Sequence, residues 1–218
     1  MAFMPKGVRL VMNKVIAAAA CALLVIAIPA MANDVVSCSG VPATRQLALQ
    51  GHTDDMVVMG FVYSQGRCVQ RDYTEAARWY RMAAVRGDAY AEALLGIAYS
   101  IGEGVLKDYS TAVSWFRRSA EQGNKYGQFN MGLAYYNGHG VPKNYSEAFM
   151  WFRKSADQGL ASAQMYMGVC YIMGYGVRAD LNAAERLNEA ERWLSLSCSN
   201  GHGQACDILK ESGLGLQR

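Results

Sequence analysis

The sequence has little proline and little charge. Only 4 of its 218 residues are Pro and 18% are charged, whereas 52% are hydrophobic. A disordered chain needs low hydrophobicity and high net charge, so this composition predicts a globular protein. Three of the 21 basic residues (Lys6, Arg9 and Lys14) precede residue 33, which leaves 18 basic against 18 acidic residues in the remainder. Such a balanced chain lacks the excess positive charge that nucleic-acid binding requires.

Short catalytic motifs are also missing. The sequence contains no His-x-x-x-His, Gly-x-Ser-x-Gly, Gly-x-x-x-x-Gly-Lys or Ser-x-x-Lys. Its three histidines, His52, His139 and His202, are far apart, and no Cys or His pair has the spacing of zinc ligands. We therefore predict no catalytic residues, no metal site and no cofactor.

One long apolar run is present, at Val15–Ile28. It follows Lys14 and precedes Pro29-Ala30-Met31-Ala32, the arrangement of a secretory signal peptide cleaved after Ala32. A membrane span needs about 20 apolar residues, so a retained anchor is the less favoured alternative. The expectation is a signal peptide at residues 1–32, with translation starting at Met1 or Met12, and a mature chain that is periplasmic or secreted.

Glycine, tyrosine and tryptophan recur at a fixed step of 36 residues. The recurring positions are Gly60, Gly96, Gly132 and Gly168; Tyr63, Tyr99, Tyr135 and Tyr171; and Trp79, Trp115 and Trp151. A period of 20–50 residues indicates an array of stacked structural repeats. We predict repeats at 51–86, 87–122, 123–158 and 159–200. An N-terminal segment with a cap helix precedes them at 33–50, and a capping helix with a tail follows at 201–218.

Each repeat is predicted to be a pair of helices. In the second repeat, Ala89–Ile101 has small or apolar residues nearly throughout and forms helix A. Glycines at 102 and 104 end it, and Asp108 caps helix B at about Tyr109–Gln122. Gly96 in the middle of helix A costs about 1 kcal/mol relative to Ala, so its recurrence predicts a close approach of two helix backbones.

These motifs resemble a known family. The string Ala-x-Ala-x-x-x-Leu-Gly-x-x-Tyr-x-x-Gly-x-Gly-Val, followed by Asp-Tyr-x-x-Ala-x-x-Trp-Phe, is similar to the Sel1-like repeat, a relative of the tetratricopeptide repeat, over about residues 51–209. The resemblance implies an α/α solenoid and a non-catalytic adaptor that binds another protein in an envelope assembly or in host contact.

Two narrower resemblances carry further expectations. Gly66–Asp72 is similar to the first repeat of periplasmic ring proteins of sodium-driven flagellar motors. The cysteine content resembles the cysteine-rich Helicobacter branch of the family. That branch implies an alternative function, a weak β-lactam-binding or cell-wall-modifying enzyme.

The fourth repeat is longer than the others. Asp180 and Trp193 are 13 residues apart, whereas Asp72 and Trp79 are 7 apart. Six residues are therefore inserted, and we expect them to lengthen helix B by about 9 Å.

The cysteines outside the signal peptide are expected to form two disulfides. Cys198 and Cys206 flank a short turn between antiparallel helices, a geometry that brings them within bonding range; the Helicobacter branch resembles the chain here too. Cys38 and Cys68 would tie the N-terminal segment to the first repeat. Cys170 occupies a small core position and is expected to be a buried free thiol.

Superposing the tetratricopeptide pattern identifies fourteen uncharged positions on the inner side of the A helices, here called the inner wall. They are Val57, Phe61, Tyr90, Ala93, Ile97, Ile101, Tyr126, Phe129, Leu133, Tyr136, Met165, Val169, Ile172 and Met173. A large apolar surface with aromatic and Met side chains is typical of a groove for an amphipathic helix or an extended peptide. The alternative is that tight curvature and the N-terminal segment cover this wall. The partner is expected to be a protein of unknown identity.

Overall fold

The computed structural model describes residues 38–212, and every regular element in that range is an α-helix. The predicted array of helix pairs is confirmed. The expected signal peptide, residues 33–37 and the tail at 213–218 lie outside the described residues. The helices are α1 (Val41–Gln50), α2 (Thr53–Gln65), α3 (Tyr73–Ala84), α4 (Ala89–Ile101), α5 (Tyr109–Glu121), α6 (Lys125–Asn137), α7 (Tyr145–Asp157), α8 (Ala161–Met173), α9 (Ala183–Ser199) and α10 (Gly203–Ser212).

The described chain forms two compact units, here called the N-terminal unit (residues 38–143) and the C-terminal unit (residues 144–212). The N-terminal unit contains α1–α6, and the C-terminal unit contains α7–α10. Within each unit, every helix packs against the helix that follows it in the chain. In the N-terminal unit α4 also packs against α6, so the A helices of successive repeats are neighbours.

Polar side chains begin the B helices and glycines end the A helices. Asp72, Asp108 and Asn144 each accept hydrogen bonds from two backbone amides in the first turn of α3, α5 and α7. Such caps satisfy amides that have no partner within the helix. At the start of the turn that Asp108 closes, Gly102 adopts φ of 86° and ends α4 in the left-handed conformation that glycine accepts without strain.

The glycine in the middle of three A helices, at Gly60, Gly96 and Gly168, lies under a helix-B side chain. A Cβ placed on Gly96 would lie 2.6 Å from the Phe116 ring, and one on Gly168 would lie 2.6 Å from Leu194. The same Cβ atoms would lie 3.1 Å from the Ala112 carbonyl oxygen and 3.3 Å from the Ala190 carbonyl oxygen, so the two helix backbones do approach closely, and a bulky side chain of helix B also packs on helix A. The buried area gained by that side chain offsets the low helix propensity of glycine.

A second glycine contact joins successive repeats. Gly104, in the turn after α4, has φ of 71°, and a Cβ there would overlap the carbonyl oxygen of Tyr73 at the start of α3. Gly140 has the same relation to Tyr109. In the first repeat this position holds Cys68, which keeps a positive φ of 65° and is exposed. Its side chain is bonded to Cys38, which lies just before α1.

A buried polar position, here called the polar slot, recurs in the A helices at Glu92, Gln128 and Gln164. In the C-terminal unit, Gln164 Oε1 accepts a hydrogen bond of 2.8 Å from Asn200 Nδ2, and its Nε2 donates to the Ala156 carbonyl at 3.2 Å. The slot thereby ties the start of helix A to the ends of two B helices.

In the second repeat the polar slot holds a charged residue, Glu92. Its Oε2 accepts a hydrogen bond of 2.7 Å from Gln122 Nε2, and its Oε1 lies 2.9 Å from Arg118 Nε. The Glu92 side chain is fully buried. Burial raises the pKa of Glu92, and this effect outweighs the opposing effect of the Arg118 guanidinium.

The insertion in the fourth repeat is divided between a turn and a helix. α9 has 17 residues, four more than α5 or α7, and the turn at 174–182 is two residues longer than the turn at 102–108. Four extra residues lengthen the helix by about 6 Å, less than the 9 Å expected from the sequence. The length of an insertion was therefore readable from the sequence, but its division was not.

The turn contact can be tested with a matched pair of substitutions. Gly87 also has a positive φ, of 88°, but a Cβ there would meet nothing within 4 Å. Both Gly87→Ala and Gly104→Ala should lose about 1–2 kcal/mol through left-handed strain. Gly104→Ala should lose a further 1–3 kcal/mol, roughly, because its Cβ overlaps Tyr73. Urea denaturation of the two variants measures the difference, and equal losses would contradict the contact.

The polar slot predicts a pH-dependent effect on stability. Because the folded-state pKa of Glu92 is raised, its stabilising contribution is complete below the ordinary pKa of glutamate and is lost as pH rises through the folded-state pKa. Glu92→Gln mimics the protonated side chain. We expect it to increase the free energy of unfolding at pH 7 and to have little effect at pH 4, as measured by urea denaturation at both values.

The matched reverse substitution is Gln164→Glu. Leu196 occupies the position that corresponds to Arg118, so a carboxylate at 164 would be buried without a cation. Gln164→Glu should cost about 3–5 kcal/mol at pH 7 and less at pH 4. A loss that is the same at both pH values would contradict the role of charge burial.

Candidate protein-binding site

The inner wall is more buried than an open groove requires. Six of the fourteen positions are half-buried, namely Tyr90, Ile101, Tyr126, Phe129, Tyr136 and Met173. The other eight expose 0–9% of their surface, namely Val57, Phe61, Ala93, Ile97, Leu133, Met165, Val169 and Ile172. Only the first group therefore keeps exposed surface, while the second group is part of the buried core.

In the N-terminal unit, ring contacts between successive A helices produce this burial. The rings of Phe61 in α2, Tyr90 in α4 and Tyr126 in α6 form an aromatic row. Their centroids are 6.1 Å apart from Phe61 to Tyr90 and 5.2 Å apart from Tyr90 to Tyr126. Phe61 also packs edge-on against Tyr80, with 5.7 Å between centroids. The side chains that the sequence assigned to a partner thus cover one another.

One member of the aromatic row has an unsatisfied polar atom. The Tyr90 hydroxyl is buried and has no hydrogen-bond partner. In contrast, the Tyr80 hydroxyl lies 3.3 Å from Ser64 Oγ in a hydrogen bond. Burial raises the pKa of both tyrosines. Both therefore stay protonated, and Tyr90 retains a donor that nothing in the described structure uses.

The half-buried side chains of the N-terminal unit form the accessible wall, which consists of Tyr90, Ile101, Tyr126, Phe129 and Tyr136. All five lie on α4 and α6, and none is charged. Four of the five carry an aromatic ring. Such a surface offers apolar and aromatic contacts, which makes it suitable for binding but not for acid–base chemistry.

In the C-terminal unit the last helix packs on the wall. Val169 is 2% exposed and is packed by Met173 of its own helix and by Ile208 of α10. The sequence assigned α10 the role of closing the end of the array and missed this contact with the wall. Ile208-Leu209 was the available signal, because two adjacent apolar residues in a short terminal helix need a surface to cover.

The cysteines of the described chain form two disulfides and leave Cys170 as a free thiol. Cys38 is bonded to Cys68 and Cys198 to Cys206, with Cα–Cα distances of 5.1 and 4.9 Å. Cys170 is a free thiol with no exposed surface, and burial raises its pKa to about 12. It is therefore an unreactive thiol at neutral pH.

The described chain contains little that resembles a reaction centre. Within residues 38–212, no three His, Cys, Asp or Glu side chains come together in a group that could hold a metal ion. The ring of His139, in the turn after α6, stacks on the ring of Tyr109 at the start of α5, with 4.3 Å between the centroids. This contact packs a turn against the start of a helix. In the same range, each helix is too short or too polar to cross a membrane.

The pattern of helices matches one family model. The Sel1 repeat matches residues 54–88, 89–124, 125–160 and 161–202, more than half of the chain. The chain belongs to the Sel1 repeat family. The predicted solenoid fold class, with four Sel1 repeats, is confirmed by this match. Proteins of this family are typically non-catalytic scaffolds whose repeats mediate protein–protein interaction.

Solved structures of Sel1-repeat proteins are similar to the chain. A Sel1 repeat protein from Oxalobacter formigenes has 29% identity and a TM-score of 0.68, with 80% of this chain and 77% of that chain covered. A protective antigen present in uropathogenic Escherichia coli strains has 28% identity and a TM-score of 0.67. The match covers 94% of this chain but only 48% of the antigen.

A more distant likeness is to Helicobacter pylori cysteine rich protein B. It has 20% identity and a TM-score of 0.48, with 59% of this chain and 96% of that chain covered. No curated protein matches the chain.

The unsatisfied hydroxyl of Tyr90 yields a matched test. Tyr90→Phe removes a buried polar atom without a partner and should increase the free energy of unfolding by about 1 kcal/mol. Tyr80→Phe breaks the hydrogen bond to Ser64 and should decrease it by about 1 kcal/mol. Thermal denaturation of both variants measures the two shifts, and a loss of stability in Tyr90→Phe would show that the hydroxyl is satisfied.

Proposed function

We propose that this Sel1-repeat protein is an exported, non-catalytic scaffold that binds an amphipathic helix or extended segment of another protein on its accessible wall. The observation that carries this proposal is the half-exposure of uncharged side chains on neighbouring helices. Tyr90, Tyr126, Phe129 and Tyr136 each keep part of an aromatic ring in contact with water. A protein segment that brings apolar anchors removes this surface from water.

The aromatic row makes the wall a rigid surface. Tyr90 already packs on both Phe61 and Tyr126, so Tyr90 and Tyr126 lose little conformational freedom when a partner binds. Pre-organised aromatic side chains are the residues that dominate the affinity of protein interfaces.

Export is supported by the disulfides and by the N-terminal pattern. Two disulfides join cysteine pairs in the described chain, and disulfides persist in oxidising compartments. The apolar run at Val15–Ile28, with its flanking Lys14 and Ala-x-Ala site, is the pattern of a signal peptide. We therefore place the scaffold in the periplasm or outside the cell. The similarity to a protective antigen of uropathogenic strains supports a role at the envelope or in host contact.

The experiment places a photo-crosslinking amino acid at Tyr136 in cells that make the native protein. The control site is Arg117, which is exposed on α5. A partner that binds the accessible wall should crosslink at 136 and not at 117. Peptides that tile the crosslinked partner then identify the bound segment.

The bound peptide provides a quantitative test. Phe129→Ala should weaken its binding by at least tenfold, because central aromatic residues supply most of the affinity of an interface. Arg117→Ala should change the affinity less than twofold. Calorimetry measures both, and circular dichroism checks that the helices are intact. Equal affinity of the Phe129→Ala variant would contradict the assignment of the accessible wall.

A further inference from the structure

Helix α10 covers part of the inner wall but buries few of its own residues against the rest of the C-terminal unit. Of its ten residues only Ala205 is fully buried, whereas α8 buries ten of thirteen. Ile208 and Leu209 are half-buried, and Ile208 packs on Val169. Elements with few buried contacts are the ones that open first in native proteins.

A disulfide stands at the junction that positions α10. Cys198 is in the last turn of α9 and Cys206 is in the first turn of α10. The turn between them contains Gly201, which has φ of 86° and at which a Cβ would meet nothing within 4 Å. The turn is therefore open at Gly201, and the hydrogen bond of 2.8 Å from Asn200 to Gln164 is a further restraint on it. The covalent link supplies the restraint that the apolar contacts of α10 lack.

The same disulfide is partly exposed to reducing agents. Cys198 and Cys206 are both half-buried, in contrast to Cys170, which has no exposed surface. A dithiol can therefore approach the bond while the core of the unit stays closed.

We propose that α10 is a redox-controlled cover. The Cys198–Cys206 disulfide holds α10 on Val169, against which Met173 also packs, and reduction by a dithiol releases the helix and uncovers this part of the wall. The step is ordinary thiol–disulfide exchange. A thiolate of the dithiol attacks one sulfur and the S–S bond breaks. The second thiol then resolves the mixed disulfide, so that two electrons and two protons pass to the cysteines and the dithiol becomes a disulfide.

The inference does not depend on the proposed partner, because it concerns the C-terminal unit alone. The test uses the exported full chain with Cys38→Ser and Cys68→Ser, so that dithiothreitol reduces only Cys198–Cys206. Amide hydrogen exchange of residues 203–212 is compared before and after reduction. Exchange in α10 should become at least tenfold faster, and oxidation of Met173 by hydroxyl radicals should increase.

Cys170 reports whether the rest of the unit stays folded. Its alkylation by iodoacetamide, followed by peptide mass spectrometry, should remain as slow after reduction as before. Unchanged exchange in α10 would overturn the proposal, because the helix would then be held by its apolar contacts. Rapid alkylation of Cys170 would also overturn it, because the disulfide would then hold the whole unit together.

A second variant removes the apolar contact and keeps the disulfide. Ile208→Ala should increase Met173 oxidation without dithiothreitol, while exchange in α10 stays within about threefold of the parent chain. The outer-face control Lys210→Ala should change neither measurement, since Lys210 is exposed. Equal Met173 oxidation in Ile208→Ala and Lys210→Ala would show that α10 covers nothing, and the proposal would fail.

Discussion

The contact between the turn of one repeat and the start of the preceding helix B is the constraint on which the rest of the structure depends. At Gly104, Gly140 and Gly176, the backbone approaches a tyrosine carbonyl so closely that no Cβ fits. Such an approach fixes how far each repeat is displaced from its neighbour. In the N-terminal unit, that displacement brings the rings of successive A helices to 5–6 Å and creates the aromatic row.

Local features of the fold were readable from the sequence because they depend on residues near one another in the chain. Helix α4 begins and ends at the predicted residues, since a small-residue segment, a glycine stop and a polar cap together define it. The number of residues inserted in the fourth repeat could be counted in the sequence for the same reason. The division of the insertion between turn and helix was not predicted, although the capping box of Asn182 and Glu185 marks the start of α9.

The extent of the candidate site could not be read in the same way. The repeat pattern identified which positions face inward, but exposure depends on side chains that lie 30–40 residues away. Phe61, Tyr90 and Tyr126 cover one another across three helices, and Ile208 covers Val169 from α10. A pattern assigned to one repeat at a time contains none of these contacts. Consequently the sequence predicted that the wall is uncharged. It did not predict which of the wall residues remain exposed.

The exposed cysteine at position 68 has a consequence for how such an array can grow. The corresponding glycines accept a neighbouring helix, whereas Cys68 places a side chain and its bond to Cys38 in the same space. A duplication that inserted a copy of a repeat directly ahead of α2 would require glycine at this position and the loss of the bond. Duplication of a repeat therefore avoids this obstacle only downstream of the first turn. New repeats would accordingly be added on the C-terminal side of the first repeat.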